Sequence, residues 1–253
     1  MVRTDVNCMI GHWPYRKLYK NTFDDLKKVH RDNNISSGYV SSIDSIFYND
    51  PFEGDEELHE ILKGSNYHHV LTINPMLPDF IGDIEKGIKL FDIRGVKIYP
   101  CYHGYELDDS KIDILCSVLK KWKLPLFIVL SMEDERLNYL AKTSKVSEAA
   151  ISKFICKNKD VKIVLLNAGI FQLSELQSSI NGSDNVFFDT SGLKGPLFPI
   201  EKLLQVFDVK RILYGSMHPL YCLKSTLFLV EKAEIEEPVK EKIMCENSSL
   251  LNK

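Results

Sequence analysis

Short apolar runs rich in β-branched and aromatic residues alternate with amphipathic stretches from one end of the chain to the other. The runs predict eight strands, at Arg3 to Asn7, Gly38 to Ser42, Val70 to Ile73, Gly95 to Ile98, Leu126 to Leu130, Val161 to Leu165, Val186 to Asp189 and Arg211 to Tyr214. Between them, "TFDDLKKVHRDN" places Thr22 to cap a helix and repeats Phe23, Leu26 and Val29 on one face. "FIGDIEKGIKLF", "DDSKIDILCSVLKKW", "SEAAISKFICKN" and "PIEKLLQVF" follow the same logic. Strands such as "KIVLL" and "PLFIVL" are apolar at consecutive positions, as a parallel strand covered on both faces requires.

Eight strand–helix units of roughly 30 residues predict an α/β fold of (β/α)8 TIM-barrel type, spanning residues 1–253 as a single domain. A doubly wound sheet is the runner-up, but no strand is followed by G-x-G-x-x-G or a Walker A sequence. No Gly-, Ser- or Pro-rich linker divides the chain.

Composition narrows the partners. The 253 residues carry 32 Lys plus Arg against 35 Asp plus Glu, a formal charge of −3, with no concentrated basic face for nucleic acid or an acidic membrane. "EGDEEL", residues 53 to 58, reads as a solvated helix start. No apolar stretch approaches a membrane span and "MVRTDVNCMI" lacks a signal-peptide core, so a cytoplasmic protein is expected, with a small-molecule ligand and a homo-oligomer left open. The six widely spaced cysteines form no C-x-x-C pair and read as buried free thiols.

In a barrel, chemistry sits where strands end. Those ends bring Asn7, Met9 and His12 after the first strand, Lys97, Tyr102 and His103 around the fourth, "SMEDER" after the fifth, Asn167 after the sixth, Asp189 at the seventh, and Met217 with His218 after the eighth. At these points the sequence resembles the amidohydrolase-related barrels of the metal-dependent hydrolase superfamily. "DVNCMIG" sits like that family's D-x-H-x-H-x-G, "RGVKIYP" like its strand-four segment, and "LNAG" like its H-x-G. "VFFDTSG" is similar to its D-T-S-G, "RILYGSMHP" to its R-I-L-[FY]-G-[ST]-D-x-P, and "IMCENSSLLN" to its closing helix. The resemblance implies hydrolase or decarboxylase chemistry at a metal site.

Every ligand that the resemblance implies is substituted. The strand-one histidines fall on Asn7 and Met9, the strand-six histidine on Asn167 and the strand-eight aspartate on Met217, and no histidine falls near Leu130 to Met132. Amides and thioethers offer little to a divalent ion, so no metal cofactor is expected at that position. A displaced site using Cys8, His12, His103 or His218 lacks zinc-like spacing, and His68 and His69 are expected before a strand, at the wrong end of the barrel.

Two readings follow. In the first, a metal-free hydrolase or lyase acts on a small carboxylated compound, with His218 and His103 as acid or base. Arg136, Lys97, Trp13, His12 and Tyr102 would then contact substrate, and Arg136 suits a carboxylate best. Each has a plainer role: His218 bonding a loop carbonyl, Arg136 pairing with Asp134 or Glu133, Lys97 bridging to Asp189 or Glu133, and Trp13 plugging the vacated space. In the second reading, the barrel binds a small molecule or a protein and catalyses nothing. A mouth filled by Met9, Met217 and Trp13 favours that one.

Overall fold

The computed structural model describes residues 2–133, 143–195 and 197–252. Its strands are β1 (Thr4–Ile10), β2 (Ser37–Ser42), β3 (His68–His69), β4 (Leu71–Thr72), β5 (Val96–Ile98), β6 (Leu126–Val129), β7 (Ile163–Leu166), β8 (Val186–Asp189) and β9 (Ile212–Leu213). All the pairings between them are parallel and join neighbours in sequence. Segments β3 and β4 are the two halves of one barrel strand. The amide of Val70 between them donates to Val40 O at 2.9 Å, and the Leu71 amide donates to Gly95 O at 3.0 Å. His68 and His69 therefore begin this strand rather than precede it.

The ring closes between its ends. Val6 N donates to Tyr214 O at 2.9 Å, Met217 N to Asn7 O at 2.6 Å and Met9 N to His218 O at 2.8 Å. This makes an eight-stranded (β/α)8 TIM barrel, with an α/β alternation along the chain.

The helices are α1 (Phe23–Arg31), α2 (Asp44–Phe47), α3 (Pro51–Leu62), α4 (Phe80–Phe91), α5 (Pro100–His103) and α6 (Ser110–Trp122). There follow α7 (Glu148–Lys157), α8 (Ile170–Glu175), α9 (Gln177–Asn181), α10 (Pro199–Leu204), α11 (Leu223–Glu231) and α12 (Glu237–Glu241). Side-chain oxygens of Thr22, Asp109 and Ser147 accept backbone N–H bonds at the starts of α1, α6 and α7, as hydroxyl and acidic residues there should. "PIEKLLQVF" is helical only to Leu204.

Alternation divides the core in two. Leu126, Ile128, Ile163, Leu165, Val186 and Phe188 face the helices. Phe127, Val129, Val164, Leu166 and Phe187 fill the barrel interior. Both faces of each strand are covered, which is why these runs are continuously apolar. Among the described residues, no helix is long and apolar enough to cross a membrane.

Two readings of surface residues are corrected. Of the six cysteines, Cys8, Cys101 and Cys116 are buried, Cys245 is half-buried, and Cys156 and Cys222 are exposed. "EGDEEL" lies inside α3, and its Asp55 is fully buried, 2.7 Å from His69 Nε2. A buried imidazole on the neighbouring strand holds that acid inside.

Candidate active site at the barrel mouth

The first inward polar layer is built on Asn7. Its Nδ2 donates to Asp189 Oδ2 at 2.9 Å and to Ser191 Oγ at 3.3 Å, while its Oδ1 accepts from Lys97 Nζ at 2.9 Å. Lys97 also donates to Ser41 Oγ at 3.1 Å. The amide thus separates an ammonium from a carboxylate, and the direct bridge from Lys97 to Asp189 or Glu133 expected from sequence does not form. Burial pushes the Lys97 ammonium down to about 8. Burial likewise pushes the Asp189 carboxyl up, against the Asn167 N–H and the Ser191 and Asn7 groups that favour its charge.

Above this layer the axis is closed by apolar groups. Met9 and Met217 have no exposure and Trp13 has 1%. Trp13 meets Tyr15, Phe47 and Tyr102 edge-to-face at 5.6, 5.3 and 5.7 Å between ring centroids. Tyr102 is therefore a wall of this aromatic plug. Lys97, 2% exposed, lies beneath it.

Asn167 and Met217 share a further feature that residue types do not reveal. Both adopt left-handed backbone, with φ of 57° and 56°. Non-glycine residues hold this conformation at some energetic cost, and such strain gathers at functional sites. Asn167 Nδ2 donates to the Ser131 carbonyl, and among the described residues Asn167 Oδ1 has no partner, as is also true of Trp13 Nε1 and Glu133 Oε2.

The two candidate histidines are not brought together. His103 Nε2 donates to the Ile46 carbonyl at 2.9 Å, and His218 Nε2 donates to the Lys20 carbonyl at 2.9 Å. Burial pushes both imidazoles down, which favours their neutral forms. His12 is exposed, and its backbone N–H donates to Asp44 Oδ1 at 3.1 Å. Arg136 and Asp134 lie outside the described residues.

Around His218 there is space. A cavity of about 370 Å³, beside the seam where β9 closes on β1, is lined by His218, Arg16, Lys20, Tyr221 and Lys224, among others. Arg16 reaches from the β1 loop to hold Glu133 Oε1 at 2.9 Å and the Leu220 carbonyl at 3.1 Å. Sequence reading missed Lys20, which meets His218 from 198 residues away, and Lys224, which lies in α11 rather than at a strand end. A cavity of about 430 Å³, lined by Arg3, Glu231 and Lys240, opens at the opposite, N-terminal end of the barrel, where these folds do not place their chemistry.

The sequence matches no protein-family model, and it matches no curated protein. Solved structures do resemble it over its whole length. An uncharacterized TIM-barrel protein from Bordetella bronchiseptica is 12% identical, with a TM-score of 0.77 over 100% of this chain and 98% of that one. A dihydroxybenzoic acid decarboxylase from Polaromonas sp. JS666, solved with manganese and 2-nitroresorcinol bound, is 10% identical, with a TM-score of 0.75 over 99% and 96%. A protein described as an amidohydrolase II is 14% identical, with a TM-score of 0.73 over 98% and 99%. At such identities the shared property is the barrel.

The interior of this chain does not suit a divalent ion of the kind bound in the manganese enzyme. Asn7 Oδ1 already takes an ammonium, both Asp189 oxygens are engaged by Asn7 and the Asn167 N–H, and Met9 and Met217 present thioethers. A dication beside Lys97 would meet a like charge in a low-dielectric interior.

Proposed function

We propose that this chain is an amidohydrolase-related barrel that acts as a hydrolase or decarboxylase on a small carboxylated compound, without a metal at the family's position. The observation that carries this reading is the cavity at the seam, which sets neutral His218 among Arg16, Lys20 and Lys224. Its volume suits a small ligand, and Lys20 and Lys224, set against the single acid Asp32 in its lining, suit a carboxylate. Donation of Nε2–H to the Lys20 carbonyl leaves Nδ1 as the basic nitrogen. A neutral imidazole with a free basic nitrogen is the form that accepts a proton from water or from a substrate hydroxyl. The reaction site then lies off the barrel axis, at the rim, since the axis is filled.

That filling supports the second reading, a barrel that binds without turnover, because Met9, Met217 and Trp13 occupy the path to the interior. Incubation with a panel of carboxylated ring compounds, followed by mass spectrometry with and without added manganese, separates the two. The expected result is turnover independent of manganese, lost in His218→Ala, with KM raised at least about ten-fold in Lys224→Met. A manganese requirement, or full activity in His218→Ala, overturns the proposal. Binding of a panel compound with no turnover selects the second reading.

A further inference from the structure

We propose that Asp5, Cys8 and His30 form a buried structural site for a divalent cation, zinc above all, which ties β1 to α1 on the outer side of the barrel wall. One ligand atom from each lies within 4.8 Å of the others, and all three residues are 0% exposed. This site is separate from the polar layer around Asn7, which faces the barrel interior, and it does not depend on the function proposed above.

The donors match the ion. Zinc takes carboxylate oxygen, imidazole nitrogen and thiolate sulfur, and oxygen and nitrogen ligands at ~2.0 Å in a tetrahedron stand about 3.3 Å apart. His30 Nε2 and Asp5 Oδ2 are 3.3 Å apart. Tyr39 O, 3.4 Å from Cys8 Sγ, offers a further oxygen nearby.

The surroundings are built to hold these groups. His30 Nδ1 lies 3.0 Å from Tyr67 Oη, a partner that can take the Nδ1 proton and leave Nε2 free to ligate. Asp5 Oδ1 accepts the backbone N–H of Asn7 and of Ser216, each at 3.0 Å, and Oδ2 accepts the Ser216 hydroxyl, so the carboxylate is fixed from behind and an ion has only the direct His30–Asp5 contact to replace. Gly38 provides the room, since a Cβ there would lie 2.8 Å from Cys8 Sγ and 3.2 Å from His30 Cε1.

Charge balance favours the ion as well. A thiol gives up its proton when it binds a dication. A dication displaces that proton to solvent and forms two bonds to anions, carboxylate and thiolate, leaving a site of zero net charge. A neutral assembly is the form a fully buried position tolerates.

The test is elemental analysis of protein expressed in zinc-supplemented medium and purified without chelator, together with absorption spectra of the cobalt(II)-loaded protein. About one equivalent of zinc and a thiolate-to-cobalt charge-transfer band are expected in the wild type. Both should disappear in Cys8→Ser and His30→Gln, and persist in Cys101→Ser and Asn167→Leu. Folded wild-type protein with below about a tenth of an equivalent, or with metal unchanged in Cys8→Ser, overturns the site. Should Cys8→Ser not fold, a cobalt spectrum of the wild type lacking the sulfur band overturns it equally.

Discussion

Lys97 shows how one side chain reorganises a site. Its ammonium stands 2.9 Å from Asn7 Oδ1, so a positive charge is held inside the barrel by a neutral amide. The cost appears in its titration. Its pKa falls from 10.5 to about 8 on burial, so between these values the unfolded chain holds the proton that the folded one has lost. Stability from this group therefore rises with pH across that window. Relative to Lys97→Met, the wild type should gain about 2 kcal/mol between roughly pH 8 and pH 10, read from urea unfolding midpoints. No gain would mean that Lys97 keeps an ordinary pKa. The places of Asn7, Met9, Asn167 and Met217 toward the C-terminal ends of their strands were legible in the sequence, because each follows an apolar run. The partners of Lys97 were not, because side-chain reach across the barrel is set by packing and not by spacing. The proximity of Cys8 to His30 was hidden for the same reason, since it depends on α1 lying against β1.

At the level of elements, helix starts and strand cores were readable, and the seam was not. Thr22 caps α1 by accepting from Asp25 N at 3.2 Å, and Thr22→Ala should cost about 1 kcal/mol in chemical denaturation. The loop after β8 packs more tightly than any local pattern could reveal. A Cβ on Gly192 would lie 2.2 Å from the Ala168 carbonyl oxygen, which is backbone and cannot swing aside. Gly192→Ala should therefore lower stability by about 3 kcal/mol and disturb Asn167 next to that carbonyl; a loss under about 0.5 kcal/mol would mean the two loops part freely. The third barrel strand was placed two residues late, because His68 and His69 look polar yet pair in register with Tyr39 and Val40. The closing segment also has its reason: Asn247 Nδ2 donates to the Val209 and Ile212 carbonyls at 2.7 and 2.9 Å, fastening the chain end beneath β9.

For the whole molecule, the barrel axis is filled and the open space lies to one side of it. The interior is closed by Trp13, Met9 and Met217 and neutralised by the Lys97–Asn7–Asp189 chain, and the open space lies at the seam with His218. Length and alternation made the barrel legible, since eight strand–helix repeats have few other solutions. The position of the cavity was not legible, because it is framed by two loops about 200 residues apart that meet only when the ring closes. The most direct test is anomalous diffraction from crystals grown with manganese and zinc. The expected map has no peak inside the barrel beside Asn7 and Asp189, and a zinc peak between Cys8 and His30. A manganese peak bonded to Asp189, with Lys97 turned away, would contradict the metal-free interior on which the proposed function rests.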